Sequence, residues 1–172
     1  MFDEGTVKEA TLEYFDGDEL ATNVFMTKYC LKDKKGNFVE KTPDDMHRRL
    51  AKEFARIEDN FITRKSNHLT QDEIYFFLKD FKYIVPQGSP MMGIGNNYVN
   101  VSLSNCVVVD NPQDCVSSII DAGKDLANLF KRRCGVGLDI SDLRPEGAVV
   151  NNSARSTTGA WSLLIFIPTC VG

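Results

Sequence analysis

Histidine is scarce in this chain of 172 residues, with only His47 and His68 present. Neither is spaced from the cysteines as zinc ligands would be, which argues against a metal site built from these residues. The five cysteines, at positions 30, 106, 115, 134 and 170, form no CxxC pair and are odd in number. Such a pattern fits a reducing cytoplasm and not the disulfide framework of a secreted domain. No apolar run reaches transmembrane length, and the acidic opening MFDEGTVKEATLEYFDGDE lacks the form of a signal peptide. Basic charge is not in excess: the net charge of −4 speaks against a general nucleic-acid binder. Internal repeats and low-complexity segments are also missing. What remains is a globular composition, 42% hydrophobic and 26% charged, in a chain long enough to bury a real core.

Hydrophobic spacing orders the chain as helices first and strands later. Residues Met1 to Glu19 read as an acidic, weakly ordered lead-in, and residues 21–40 as a turn or hairpin with Lys34-Lys35-Gly36-Asn37 at its tip. Thr42-Pro43-Asp44-Asp45 is a helix start, combining a cap, a proline in the first turn and acids at the positive end of the helix dipole. Met46, Leu50, Phe54, Ile57 and Phe61 follow at helical spacing and form a packing stripe. His47 falls one residue off that stripe, a boundary position and not a ligand position. Thr70-Gln71-Asp72-Glu73 is a capping box, followed by a second stripe of Ile74, Phe77, Leu78 and Phe81.

From Tyr98 to Asp110 the pattern changes to a period of two. Val99, Val101, Leu103, Val107 and Val109 alternate with Asn100, Ser102 and Ser104, and Cys106 falls in the polar register. The continuous run Val107 to Val109 predicts a strand buried on both faces, with Cys106 aimed at a small polar space. A structural thiol fits that position, since free cysteine is among the most buried residue types. A reactive thiol would need an electropositive, partly exposed setting. A helix is predicted from Asp114, as N-cap, to Arg132, with Val116, Ile119, Ile120, Leu126, Ala127 and Phe130 inward. A short strand, Val136 to Ile140, completes a βαβ unit, which implies parallel strands. The loop Arg144 to Gly159, RPEGAVVNNSARSTTG, is rich in arginine, glycine and short polar side chains. That composition suits phosphate or ribose binding, and equally an ordinary solvent loop.

The blocks SLSNCVVV (102–109), KRRCGVGLDISDLRPEGA (131–148) and NNSARSTTGA (151–160), supported by QGSPMMGIGN (87–96), resemble the large, catalytic subunit of ribonucleotide reductase. Their order and spacing agree with that family, and the resemblance covers most of residues 20–162. It implies an α/β fold: an N-terminal helical region, residues 1–85, then the first strand-helix-strand unit of a ten-stranded α/β barrel, residues 86–162, left incomplete. Residues 163–172 depart from the family pattern and form a divergent tail. The implied activity is radical reduction of ribonucleoside diphosphates to 2′-deoxyribonucleotides, with cysteine thiols as reductant.

Site residues follow from the same resemblance. Cys106 matches a redox-active reducing thiol on the first barrel strand. Ser89 matches a hydroxyl residue that contacts substrate phosphate. Asn105, serine in many members, and Cys106 match a substrate-contacting pair, and Gly135 a glycine whose backbone lies against the substrate. Asp114, Cys115, Val116, Arg144 and Asn151 match a second nucleotide site at a dimer interface, where a deoxynucleoside triphosphate or ATP effector selects the base. There Asp114 would accept a ribose hydroxyl and Arg144 would hold phosphate, a task suited to a guanidinium fork. Taken as isolated residues, Ser89, Asn105 and Gly135 read as turn, strand end and helix stop, and Arg144 as a surface salt bridge.

The implied partners are ribonucleotide substrate, effector, the rest of the barrel, a second large subunit, a small radical-generating subunit, and thioredoxin or glutaredoxin. No cofactor is expected on these residues. The radical would come from a metal-containing small subunit or, alternatively, adenosylcobalamin. The family's thiyl-radical cysteine, its acid-base pair and its second reducing cysteine all lie beyond Gly159 in family order. The 172-residue chain is therefore expected to be inactive by itself, a truncated remnant or nucleotide-binding module being the alternative to a working part.

Overall fold

In the computed structural model, which describes residues 1–61, 68–162 and 165, the acidic opening is a helix and not a weakly ordered lead-in. Helix α1 (Glu4–Tyr14) starts because the Asp3 carboxylate accepts the Thr6 N–H at 3.0 Å, satisfying one of the orphan donors of the first turn. Its apolar face is thin, only Val7 and the methyl side of Thr11, which is why periodicity missed it. Both residues are nonetheless fully buried, and the Thr11 hydroxyl donates to the Lys41 carbonyl at 3.0 Å. Helix α2 (Glu19–Val24), capped by Asp18, continues into a π-helical turn at Phe25–Tyr29. The expected hairpin therefore occupies only the second half of residues 21–40. Lys32 and Phe38 pair as an antiparallel bridge, and Asp33 closes the turn by accepting the Lys35 and Asn37 N–H groups.

Helix α3 (Pro43–Glu58) begins at the Thr42-Pro43-Asp44-Asp45 signal. The Asp45 carboxylate accepts the Lys41 and Thr42 N–H groups at 2.8 and 3.2 Å. Met46, Leu50 and Ala51 are sealed in the core with Val7, Phe25, Phe38, Leu78 and Met91. The stripe does not stay buried: Phe54, Ile57 and Phe61 emerge on the surface. Helix α4 (Gln71–Leu78) starts from the expected capping box, with Thr70 N–H donating to Glu73 at 2.8 Å and Glu73 N–H returning to the Thr70 hydroxyl at 3.3 Å. Leu78 is buried, whereas Phe77 is exposed. A 3₁₀ turn, Lys79–Phe81, follows, and a short helix α5 (Gly88–Gly93) carries Ser89.

His47 is no boundary residue. It is 0% exposed, its ring meets Phe81 edge-on at 4.5 Å, and both ring nitrogens are buried without a hydrogen-bond partner. Burial holds its pKa below the usual 6.5, although the nearby carboxylates of Asp44 and Asp80 pull the other way. Unfolded His47 takes up a proton as pH falls through 6.5, and the buried ring does so only at lower pH. Its contribution to stability is thus complete above that pH and shrinks as pH falls, levelling off below the folded pKa. Urea midpoints followed from pH 7 downward should decline, at no more than about 1.4 kcal/mol per pH unit from this one proton. His47→Leu should flatten the upper part of that decline. An unchanged slope would show that other groups carry it.

The chain packs as two units, Met1–Leu103 and Ser104–Gly172. The QGSPMMGIGN segment, read as the start of the barrel, packs with the helices of the first. In the second, β1 (Cys106–Val108), α6 (Val116–Phe130) and β2 (Gly135–Gly137) form a βαβ unit. The strands are parallel, with Cys106 opposite Gly135, Val107 opposite Val136 and Val108 opposite Gly137.

Several expectations for this unit need correction. The strand is three residues long and not the full Val99 to Val109 run, and it is not buried on both faces: Val108 is 83% exposed. The earlier part is bound as a loop, since the Asn96 side-chain carbonyl accepts the Tyr98 and Val99 N–H groups that a strand would need for its ladder. Asp114 does not cap α6; Cys115 is the N-cap and Asp114 pairs with Arg144. Of the predicted inner stripe only Leu126 is buried, while Val116, Ile120 and Phe130 are exposed. The second strand starts one residue early and stops at Gly137, and the left-handed residue that ends α6 is Arg133 (φ 62°), not Gly135.

Candidate functional site

The parallel register gathers three of the residues singled out for substrate. The Gly135 N–H donates to the Asn105 carbonyl at 2.7 Å, and Cys106 stands opposite Gly135. A Cβ on Gly135 would lie 3.1 Å from that carbonyl and 3.4 Å from the Cys106 sulfur. Glycine therefore keeps the space beside the thiol open. The Ser104 hydroxyl donates to the Cys106 carbonyl at 3.0 Å and helps fix the strand start. Cys106 is exposed, unlike Cys30 and Cys134. Cys30 is a structural thiol: burial, with help from Glu40, pushes its pKa up to about 12, so it stays protonated. Ser89 lies in the first unit and the other three in the second.

A cavity of about 520 Å³ brings together all five residues expected to hold effector: Asp114, Cys115, Val116, Arg144 and Asn151 line it. One wall is the start of α6, whose first N–H groups have no side-chain cap and carry the positive end of the helix dipole. The facing wall is the loop after β2. It folds back through the Val149–Ser156 bridge, through Gly147 N–H to Thr157 carbonyl (2.9 Å) and through Thr157 N–H to Ala148 carbonyl (3.0 Å). Gly159 (φ +78°) closes the loop so tightly that a Cβ would sit 2.8 Å from the Glu146 nitrogen.

Arg144 is paired inside its own unit. Its Nε donates to Asp114 Oδ2 at 2.5 Å, and its Nη1 to the Val149 carbonyl at 3.3 Å. The salt-bridge reading of this arginine therefore holds, and its partner is the other charged residue of the proposed site. Both side chains are about one-third exposed, 38% and 33%, so the pair is open to exchange with an incoming anion. Ser156, Thr157 and Thr158 also line the cavity, although the sequence reading assigned them no contact. Their signal was present in the hydroxyl-rich stretch RSTTG, but composition could not distinguish a wall of a cavity from a solvent loop.

Among the described residues, no group of three or more His, Cys, Asp or Glu side chains could hold a metal ion. No helix among them is long and apolar enough to cross a membrane. A search of curated proteins found no match. Two family models match: "Ribonucleotide reductase, all-alpha domain" over residues 15–97, and "Ribonucleotide reductase, barrel domain" over residues 104–171. The second match runs through the stretch set apart as a divergent tail, which, Ile165 excepted, lies outside the described residues after Ser162. The gap between the matches coincides with the division between the helical unit and the parallel βαβ unit. Helical layer, parallel strands and ordered matches agree, and the chain belongs to the ribonucleotide reductase large-subunit family.

Proposed function

We propose that this chain supplies a reducing thiol, a substrate-binding strand and an effector cleft to a ribonucleoside-diphosphate reductase. The observation that carries this reading is the placement of exposed Cys106 across from Gly135, with the Asn105 backbone between the strands. In the reaction, two thiols are oxidised to one disulfide. The C2′–OH bond of the ribose is replaced by C2′–H, and the oxygen leaves as water. Cys106 is one of the two thiols. In this reading the cysteine completing the disulfide comes from a further strand of the family's barrel, of which the described residues form two parallel strands. In this reading the radical source is a partner, a metal-containing small subunit with adenosylcobalamin as the alternative. Thioredoxin or glutaredoxin re-reduces the disulfide in a reducing cytoplasm.

The open cleft between α6 and the loop after β2 supports the effector role. Helix N–H groups, the Arg144 guanidinium and three hydroxyl side chains offer donors to a triphosphate, and the Asp114 carboxylate offers an acceptor to a ribose hydroxyl. The test is deoxynucleotide formation from a ribonucleoside diphosphate and a dithiol. Product is expected when the chain is combined with the remaining barrel strands and a small subunit, and none from the 172-residue chain alone. Running the same mixture with adenosylcobalamin distinguishes the radical sources. No product from any complete mixture, or turnover by the isolated chain, would overturn the proposal.

A further inference from the structure

The most heavily bonded charge in the helical unit is Arg49 of α3, and every group it holds outside Glu40 lies in the segment that carries Ser89. Its Nε donates to Glu40 Oε1 at 2.6 Å, and its Nη2 to Glu40 Oε2 at 3.4 Å. The pair is nearly sealed from water, with side chains 11% and 6% exposed. Glu40 is fixed in turn, since its Oε2 accepts the Leu31 N–H at 2.9 Å. From this anchored position Arg49 Nη2 donates to the Met91 carbonyl at 2.9 Å and Nη1 to the Ile94 carbonyl.

Those carbonyls are the ones a short helix leaves without partners at its C-terminus. The remainder of that helix end is satisfied locally. The Pro90 carbonyl accepts the Ile94 N–H, the Met92 carbonyl accepts the Asn96 side-chain amide at 3.2 Å, and the Gly93 carbonyl accepts the Asn96 N–H at 3.1 Å. Arg49 thus supplies the two bonds that no residue of the segment provides. Gly95, at φ +70°, lies so close over the arginine stem that a Cβ would meet its Cγ at 2.9 Å.

A buried ion pair is a poor device for stability alone, because desolvation offsets most of the Coulombic gain. What a guanidinium adds is a rigid fork that can hold a carboxylate and two carbonyls in fixed directions at once. We infer that Arg49, anchored by Glu40, is a positioning residue that sets the place of the Ser89 turn for substrate phosphate. This inference rests on the reading of Ser89 as a phosphate contact.

The test uses the assembled reductase and compares Arg49→Lys, Arg49→Met and Ser89→Ala, reading KM and kcat for a ribonucleoside diphosphate together with the melting temperature. Arg49→Met strands Glu40 without its counter-charge and is expected to unfold, so Arg49→Lys carries the test. Lysine keeps the charge beside Glu40 but cannot reach both carbonyls. It is expected to raise KM at least tenfold while kcat at saturation changes less than threefold and melting shifts by a few degrees. A purely structural role would instead lower kcat through a smaller folded fraction and leave KM in place. If Ser89→Ala raises KM and Arg49→Lys does not, the positioning role is overturned and the Ser89 reading stands. If Ser89→Ala leaves KM unchanged, the Ser89 reading falls and the inference falls with it.

Discussion

Cys106→Ser is expected to abolish multiple turnover in the assembled enzyme, with deoxynucleotide formation falling to background when a dithiol is the only reductant. A serine hydroxyl cannot form a disulfide, so the electron pair that reduces the ribose has no source. The fold should survive, because sulfur to oxygen is a nearly isosteric change beside the open space that Gly135 leaves. Circular dichroism and effector binding serve as controls. Cys115, which is also exposed, lines the cavity at the start of α6, away from the β1–β2 pairing, so Cys115→Ser should retain turnover. Full turnover by Cys106→Ser would reject the redox role.

Arg144→Ala is expected to weaken effector binding by roughly tenfold or more while basal reduction persists. A charge-assisted hydrogen bond to phosphate contributes on the order of 1.5–3 kcal/mol, and about 1.4 kcal/mol is a factor of ten in affinity. The pairing of Arg144 with Asp114 allows the loop-tethering effect to be told apart from a phosphate contact. Asp114→Asn removes the same ion pair but leaves the guanidinium free for phosphate. It should therefore keep most of the affinity for a triphosphate, while losing the discrimination between effectors with and without a 3′-hydroxyl. Equal losses in both variants, measured by isothermal titration with one deoxynucleoside triphosphate, would mean that Arg144 only ties the loop.

The parts of the fold that were legible in the sequence are those with a strong local cause. The starts of α3 and α4 lie at their capping signals because the side chains that stop the fraying are the ones printed there, Asp45 and Glu73. The parallel βαβ unit was readable from the change of period. Helix α1 was hidden because its two buried residues, Val7 and Thr11, give almost no apolar stripe, and its stability comes from packing on distant residues. From α3 alone His47 falls at a boundary for a related reason, since Phe81, in the turn after α4, packs on its ring and one helix's spacing cannot show that. The length of β1 failed on competition: Asn96, outside the alternating run, takes the N–H groups that the run would have given to a neighbouring strand.

The candidate site divides along similar lines. The resemblance named Asp114, Cys115, Val116, Arg144 and Asn151, and folding collects all five around one cavity. Which groups neutralise each other could not be read, because the Asp114–Arg144 contact joins residues 30 apart through the return of the chain after β2. The hold of Arg49 on the Ser89 segment was likewise invisible, since nothing in a helical stripe distinguishes a buried cation from a solvated one.

If Cys106 spends its thiol in reducing the ribose, a single-turnover experiment should catch it in a disulfide. The assembled enzyme is fully reduced, freed of external dithiol, given one ribonucleoside diphosphate per site, then alkylated and analysed by peptide mass spectrometry. Before substrate, the reduced Cys106 thiol should be open to a small alkylating reagent. After one deoxynucleotide has formed per site, Cys106 should be protected and recovered in a disulfide, while Cys115 remains open to alkylation. Deoxynucleotide formed while Cys106 stays fully alkylatable would contradict the redox role of this thiol.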